Sequence, residues 1–136
     1  MELVVSSESI AKDKIAIRKT ILQKRKELSH LRRSKKSASI AERLFDMDEF
    51  KESKSVFCFL STSFEVQTDE IIRESLRLGK QVLVPLLGSG RENFEVVRIS
   101  SIDIEFLAGR YGIREPTPKY RRRAPFSMID LVITPG

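Results

Sequence analysis

Residues 55–87 read SVFCFLSTSFEVQTDEIIRESLRLGKQVLVPLL. Ser55–Leu60 is almost continuously apolar and β-branched or aromatic, the pattern of a strand buried on both faces of a parallel sheet. A polar loop follows over Ser61–Thr68. Asp69 and Glu70 then stand where a helix begins, since carboxylates favour the positive end of a helix dipole. Ile71, Ile72 and Leu76 supply its apolar face, and Gly79 supplies the left-handed stop that helices favour. Gln81–Leu87 is a second buried strand. Strand, loop, helix and strand make one βαβ unit, for which a right-handed crossover is expected.

Working outward, residues 9–28 predict an amphipathic helix, because Ile10, Ile17, Ile21 and Leu28 fall on one helical stripe. Lys14, Arg18 and Arg25 repeat that spacing on a neighbouring face. Ser29 reads as the N-cap of a second helix, His30–Phe45, with Ala38, Ala41, Leu44 and Phe45 buried and the intervening lysines and arginines solvated. After the second strand, Gly88-Ser-Gly-Arg91 predicts a hairpin turn into a third strand, Asn93–Ile99. Ser100–Leu107 is read as one helical turn, and the proline-rich, arginine-rich Arg110–Pro125 as loop. Met128–Thr134 is a last buried strand. The whole, residues 1–136, reads as a single α/β domain.

Bulk composition narrows the function. The chain has 136 residues, 40% of them hydrophobic and 32% charged. Its longest apolar runs, Val56–Leu60 and Val82–Leu87, are far short of the roughly 20 residues that cross a bilayer. The N-terminus lacks the basic and apolar regions of a secretory signal, and Glu2 and Glu8 argue against a transit peptide. A cytoplasmic, reducing setting is expected, with the single cysteine, Cys58, serving as a small buried hydrophobe. His30 is the only histidine and stands at a helix boundary, so it makes no nucleophile–base pair with Cys58. The net charge of +6 favours anionic ligands without choosing among them.

Several motifs admit both a ligand-binding role and a plainer one. Gly88-Ser-Gly90 precedes a strand and lacks Gly-Lys-Ser/Thr, so it reads as a turn and not a phosphate loop. Arg121-Arg-Arg123 could meet phosphates, but a solvated loop is the simpler account. Lys14 and Arg18, four residues apart, point the same way and can hold a phosphate chain. Exposed basic helical faces are nonetheless common. The loop Ser61–Thr68 lies at the carboxyl end of a buried strand, where α/β sheets build sites. Its plain reading is a connector with Thr68 capping the next helix.

Four ordered segments together resemble the 5-formyltetrahydrofolate cyclo-ligase family. They are Lys14-x-x-x-Arg18 ahead of Leu28-Ser29; Phe59-Leu-Ser-x-x-x-Glu65-Val-x-Thr68 with Gly79-Lys80-x-Val-x-x-Pro85; Tyr111-Gly-Ile-x-Glu115-Pro116; and Asp130-Leu-Val-Ile-x-Pro135-Gly136. The resemblance implies a three-layer α/β fold, a mostly parallel sheet flanked by helices (NagB/RpiA/CoA-transferase-like), here incomplete at the C-terminus. It implies ATP-dependent conversion of 5-formyltetrahydrofolate to 5,10-methenyltetrahydrofolate, using ATP and Mg2+ and releasing ADP and phosphate. In such enzymes the formyl oxygen takes the γ-phosphoryl group, N10 closes the ring, and phosphate leaves. Lys14 and Arg18 match the ATP-contacting pair. Thr62, Glu65 and Gln67 match the folate-pocket loop, and Tyr111 and Glu115 match groups beside the pterin. No catalytic side chain and no metal ligand is assigned. The implied partners are a reduced folate and ATP, bound by a monomer, with neither membrane nor nucleic acid.

Two departures matter. Gln67 stands where some members carry an acid. Members also continue past Pro-Gly into a glycine-rich phosphate loop, so a C-terminally truncated chain with little ligase activity is expected. The alternatives are a non-catalytic folate- or nucleotide-binding short form and, behind it, a basic nucleic-acid-binding domain.

Overall fold

The computed structural model describes residues 6–88 and 94–136. Four helices, α1 (Ser7–Glu27), α2 (His30–Asp46), α3 (Asp48–Glu52) and α4 (Asp69–Arg77), accompany seven short strands: β1 (Ser55–Cys58), β2 (Gln81–Leu87), β3 (Phe94–Ile99), β4 (Phe106–Ala108), β5 (Arg114–Pro116), β6 (Arg122–Arg123) and β7 (Leu131–Ile133). Five strands form one sheet in the order β6-β3-β2-β1-β7, and β4 pairs with β5 apart from it. β1 lies parallel to β2 and β7, while β3 is antiparallel to both β2 and β6. β3 alone therefore runs against the other four, which makes the sheet mixed but mostly parallel.

Alternation along the strands separates two cores. Cys58, Val82, Val84, Val97 and Ile99 pack under α2 and α4, through Ala41, Ile71 and Ile72. Phe57, Leu83 and Val96 point the other way and are covered by Ala124, Met128 and Ile129. The βαβ unit read from residues 55–87 is present, with Ser55, Val56 and Phe57 in register with Gln81, Val82 and Leu83. α4 ends in a Schellman motif: Gly79 has φ +78°, its N–H donates to Leu76 O, and the Lys80 N–H donates to Ser75 O. Lys80 Nζ then satisfies the carbonyls at the end of α3, donating to Ser53 O at 2.6 Å and Lys51 O at 3.2 Å.

Several expectations need correction. α3 was not anticipated. On α2 the buried stripe is Arg33, Ser37 and Ala41, with Leu44 and Phe45 half-buried and Ala38 exposed. The stripe is rotated because Arg33 is drawn inward to cap α1. α1 has the predicted span, yet it buries no side chain: Ile10, Ile17 and Ile21 are all exposed. Ser100–Leu107 holds no helical turn. The Ser101 hydroxyl accepts from the Asp103 N–H, and the chain extends into β4. Arg110–Pro125 is not plain loop, since it contains β5, β6 and two 3-10 turns. Only Leu131–Ile133 of the last predicted strand is extended, and as a sheet edge it leaves Val132 56% exposed. The turn expected at Gly88–Arg91 lies outside the described residues beyond Gly88, although β2 and β3 do pair as a hairpin.

Candidate functional site

The loop between β1 and α4 is held by its own side chains. Ser61 and Thr68 clamp its ends reciprocally, each hydroxyl accepting the other residue's N–H at 3.1 Å. The Thr68 hydroxyl also donates to Phe59 O at 2.9 Å, and Thr68 has no accessible surface. Thr68 does occupy the N-cap of α4, but its side chain makes no cap bond there, because its hydroxyl is already engaged across the loop. Within the loop, Glu65 Oε2 accepts from the Thr62 N–H, and Gln67 Nε2 donates to the carbonyls of both Thr62 and Glu65. The Gln67 N–H donates to Ser37 Oγ on α2 at 2.9 Å.

A second wall comes from the β4–β5 hairpin. Its tip, residues 109–113, is closed by a 2.8 Å bond from the Gly109 N–H to Ile113 O. Tyr111 sits there at φ +58° and Gly112 at φ +73°. A left-handed backbone is natural for glycine and strained for tyrosine, so the ring is held out at 78% exposure by the surrounding turn. Arg114 fastens the hairpin to the loop. Its guanidinium meets Asp69 in a two-pronged pair at 2.7 and 3.3 Å and reaches Ser61 O at 3.4 Å. Between the walls lies an open cleft of about 520 Å³, lined by Thr62, Phe64, Gln67, Asp69, Tyr111 and Arg114 among others. That volume is in the range of small-molecule sites.

α1 reaches this cleft through its last turn. Arg25 Nε donates to Phe64 O at 3.3 Å. Arg33 of α2 donates to Arg25 O at 2.8 Å and to Leu28 O at 2.9 Å, ending α1 with a cation on its terminal carbonyls. The same guanidinium lies 5.4 Å from the centre of the Phe64 ring. At 100° per residue, Lys14 and Arg18 fall within roughly 20° of Arg25 around the helix axis. The face that carries both cations is therefore the face turned towards the 61–68 loop.

The structure thus brings Thr62, Gln67 and Tyr111 together around one cleft, while Lys14 and Arg18 are exposed on α1, on the same side of the helix as Arg25 but outside the cleft's lining. It turns Glu65 inward to brace the loop. It places Glu115 on the other side of β5 from Arg114, against Gly109 and 3.9 Å from Arg121. Arg33, Asp69 and Arg114 were not singled out as site residues. Asp69 had been read only as a helix-dipole carboxylate. The alternation Arg114-out, Glu115-in was the available signal, though a three-residue strand shows it too briefly to read.

Cys58 lies just behind the loop. Burial pushes its thiol up to about 12, against a smaller opposing effect of the Thr68 hydroxyl, so it is no nucleophile near neutrality. Among the described residues no three His, Cys, Asp or Glu side chains gather to hold a metal ion, and no helix is long and apolar enough to cross a membrane.

The sequence pattern of the 5-formyltetrahydrofolate cyclo-ligase family matches residues 10–136. A Caenorhabditis elegans protein described as a probable 5-formyltetrahydrofolate cyclo-ligase is 31% identical over 123 residues, covering 87% of this chain and 58% of the worm protein. The Mus musculus 5-formyltetrahydrofolate cyclo-ligase is 25% identical over 127 residues, covering 90% and 63%. The solution structure of Aquifex aeolicus 5,10-methenyltetrahydrofolate synthetase superposes with a TM-score of 0.72 at 28% identity, covering 88% of this chain and 58% of that one. The chain thus spans about three fifths of the length of these relatives.

Proposed function

The chain belongs to the 5-formyltetrahydrofolate cyclo-ligase family, and on that footing we propose that its activity is the ATP-dependent closure of 5-formyltetrahydrofolate to 5,10-methenyltetrahydrofolate, with release of ADP and phosphate. What supports this reading is the family match together with a cleft lined by Thr62, Gln67 and Tyr111, to whose loop the last turn of α1 is tied through Arg25. Phosphoryl transfer asks a protein for positioning and charge neutralisation more than for covalent chemistry. Lys14 and Arg18 supply neutralisation along the helix. Thr62, Gln67 and Tyr111 supply a polar, aromatic-edged wall for the pterin. Glu65, matched to the folate pocket by resemblance, acts through the loop backbone that it braces, and Glu115, matched likewise, lies behind the hairpin against Gly109 and Arg121. Among the described residues no three acidic, histidine or cysteine side chains gather to hold magnesium. In this reading residues 1–136 form a single α/β domain, monomeric and cytoplasmic, whose ligands are a reduced folate and ATP.

The test is calorimetric titration with 5-formyltetrahydrofolate and with ATP, beside an assay of the methenyl product's near-ultraviolet absorbance. Lys14→Ala and Arg18→Ala are expected to weaken ATP binding by roughly tenfold each, the scale of one charged hydrogen bond, and to leave folate affinity intact. Tyr111→Ala should do the reverse. A chain that binds neither ligand refutes the proposal. Binding of both without turnover would mark a binding protein rather than an enzyme.

A further inference from the structure

The three consecutive arginines have three different fates. Arg121 turns back, its Nε donating to Pro116 O at 2.9 Å and its other end lying 3.9 Å from Glu115. Arg123 pairs with Glu95 at 2.9 Å. Arg122 joins no ion pair among the described residues. It stands directly across the β3–β6 ladder from Arg98. Like charges at opposed positions of an antiparallel pair point the same way a few ångströms apart and destabilise it. Lys119, in the turn just before β6, adds a third cation beside them and lies 5.2 Å from the Tyr120 ring centre. The three line a pocket of about 200 Å³ with Tyr120 and Ile104, and the described lining contains no aspartate or glutamate. Arg98 is also opposite Leu83, and Ile99 opposite Val82 near the start of β2. The pocket therefore sits at the end of the sheet away from the 61–68 loop.

We propose that Arg98, Lys119 and Arg122 form a second anion site, distinct from the folate cleft, that takes the phosphoryl end of a small soluble molecule. An in-register arginine pair costs stability unless an anion neutralises it, and two guanidinium forks match a tetrahedral phosphate far better than a single charge does. The pocket is below the usual 300–1,000 Å³ of drug-sized sites, so it suits one or two phosphoryl groups. One ring at its wall does not make the stacking platform of a single-strand nucleic-acid binder. The proposal does not depend on the folate reading.

The chain is titrated with inorganic phosphate and with pyrophosphate at low salt, following backbone amide NMR shifts and the thermal midpoint. Saturable shifts confined to residues 98–100 and 119–122 are expected, with pyrophosphate the tighter ligand and the midpoint raised. Arg122→Gln should weaken binding by roughly tenfold. Without anion it should raise the midpoint, because a repulsion is removed. Lys119→Gln, on a turn outside the ladder, decides the matter if Arg122→Gln does not fold. Lys35→Gln/Lys36→Gln on α2 is the control and should bind as the unaltered chain does. Shifts that fail to saturate or spread over α1 and α2, unchanged affinity in Arg122→Gln, or a lowered anion-free midpoint would each overturn the proposal. So would displacement of pyrophosphate by a short single-stranded RNA whose footprint extends across the sheet.

Discussion

Gln67 shows how much one side-chain amide can hold. Both of its amide protons are committed, to Thr62 O at 3.0 Å and to Glu65 O at 2.9 Å. An acid at this position cannot donate, and its charge would face two carbonyl oxygens. Gln67→Glu is therefore expected to cost about 1–3 kcal/mol, the scale of leaving partly buried acceptors unmet. Urea unfolding measures that cost, and folate affinity should fall with it. A variant as stable as the parent would show that these bonds do not order the loop. Cys58 makes the opposite kind of prediction. Its thiol, pushed up to about 12 by burial, should resist alkylation at pH 8 in the folded chain and react rapidly once the chain is unfolded. Rapid native labelling, followed by mass spectrometry, would contradict the buried strand position. The plain reading of Cys58 was available from the sequence because an uninterrupted apolar strand says where its side chains go. The role of Gln67 was not, because nothing in Glu-Val-Gln-Thr reveals that the side chains fold back on their own loop.

α1 and α2 are joined by Arg33, which is 9% exposed although it sits in a run that reads as solvated. Charge runs conceal such residues, since patterning gives no reason to choose Arg33 over Arg32. Only the fold reveals that Leu28 ends α1 with its carbonyls pointing at one guanidinium. Arg33→Ala is expected to cost about 2–3 kcal/mol, for two charged hydrogen bonds. Both bonds leave one terminal nitrogen of the guanidinium, so Arg33→Lys should recover part of the loss if its ammonium reaches the same two carbonyls. In the functional reading, Arg33→Ala also weakens ATP binding without contacting the nucleotide. Helix-to-coil loss is checked by circular dichroism, and unaltered stability would remove Arg33 from this role. The elements that were readable are those whose signal is local: the apolar runs of β1 and β2, the Ser29 cap, the glycine stop at Gly79. The two- and three-residue strands β4, β5 and β6 carry too few residues for any period to appear, so β5 and β6 passed for loop and the start of β4 for part of a helical turn.

For the molecule as a whole, the sheet depends on the junction of its edge strand β7 with β1. Asp130, just before β7, accepts the backbone N–H groups of Lys54 at 2.8 Å and Ser55 at 3.1 Å, where β1 begins. Those bonds hold its carboxyl below the usual carboxylate range. A group depressed in the folded state contributes stability that is present above its unfolded pKa, near 4, and is lost as pH falls through the folded value. Asp130→Asn should therefore flatten the acid side of the stability profile below about pH 4, measured by the urea midpoint as a function of pH. Identical acid limbs would place the linkage elsewhere. Asp130 also opens the fourth segment by which the sequence resembles its family, and its work here is to set strand register. The resemblance thus made the architecture legible. It did not separate Thr62, Gln67 and Tyr111, which line the cleft, from Glu65, which bonds its own loop, or from Asp130, which works at the opposite end of β1.

α1 is clamped near one end and buries none of its length. With a rise of 1.5 Å per residue, Lys14 stands about 21 Å from the Leu28 pivot and Arg25 only about 5 Å. The helix is a lever, and an angular displacement at its fulcrum reaches Lys14 magnified more than fourfold over Arg25. The reach of the outermost charge is consequently set by residues that never touch what it touches. Substitutions at Phe64 or Leu28 should be felt most strongly at the far tip of the arm.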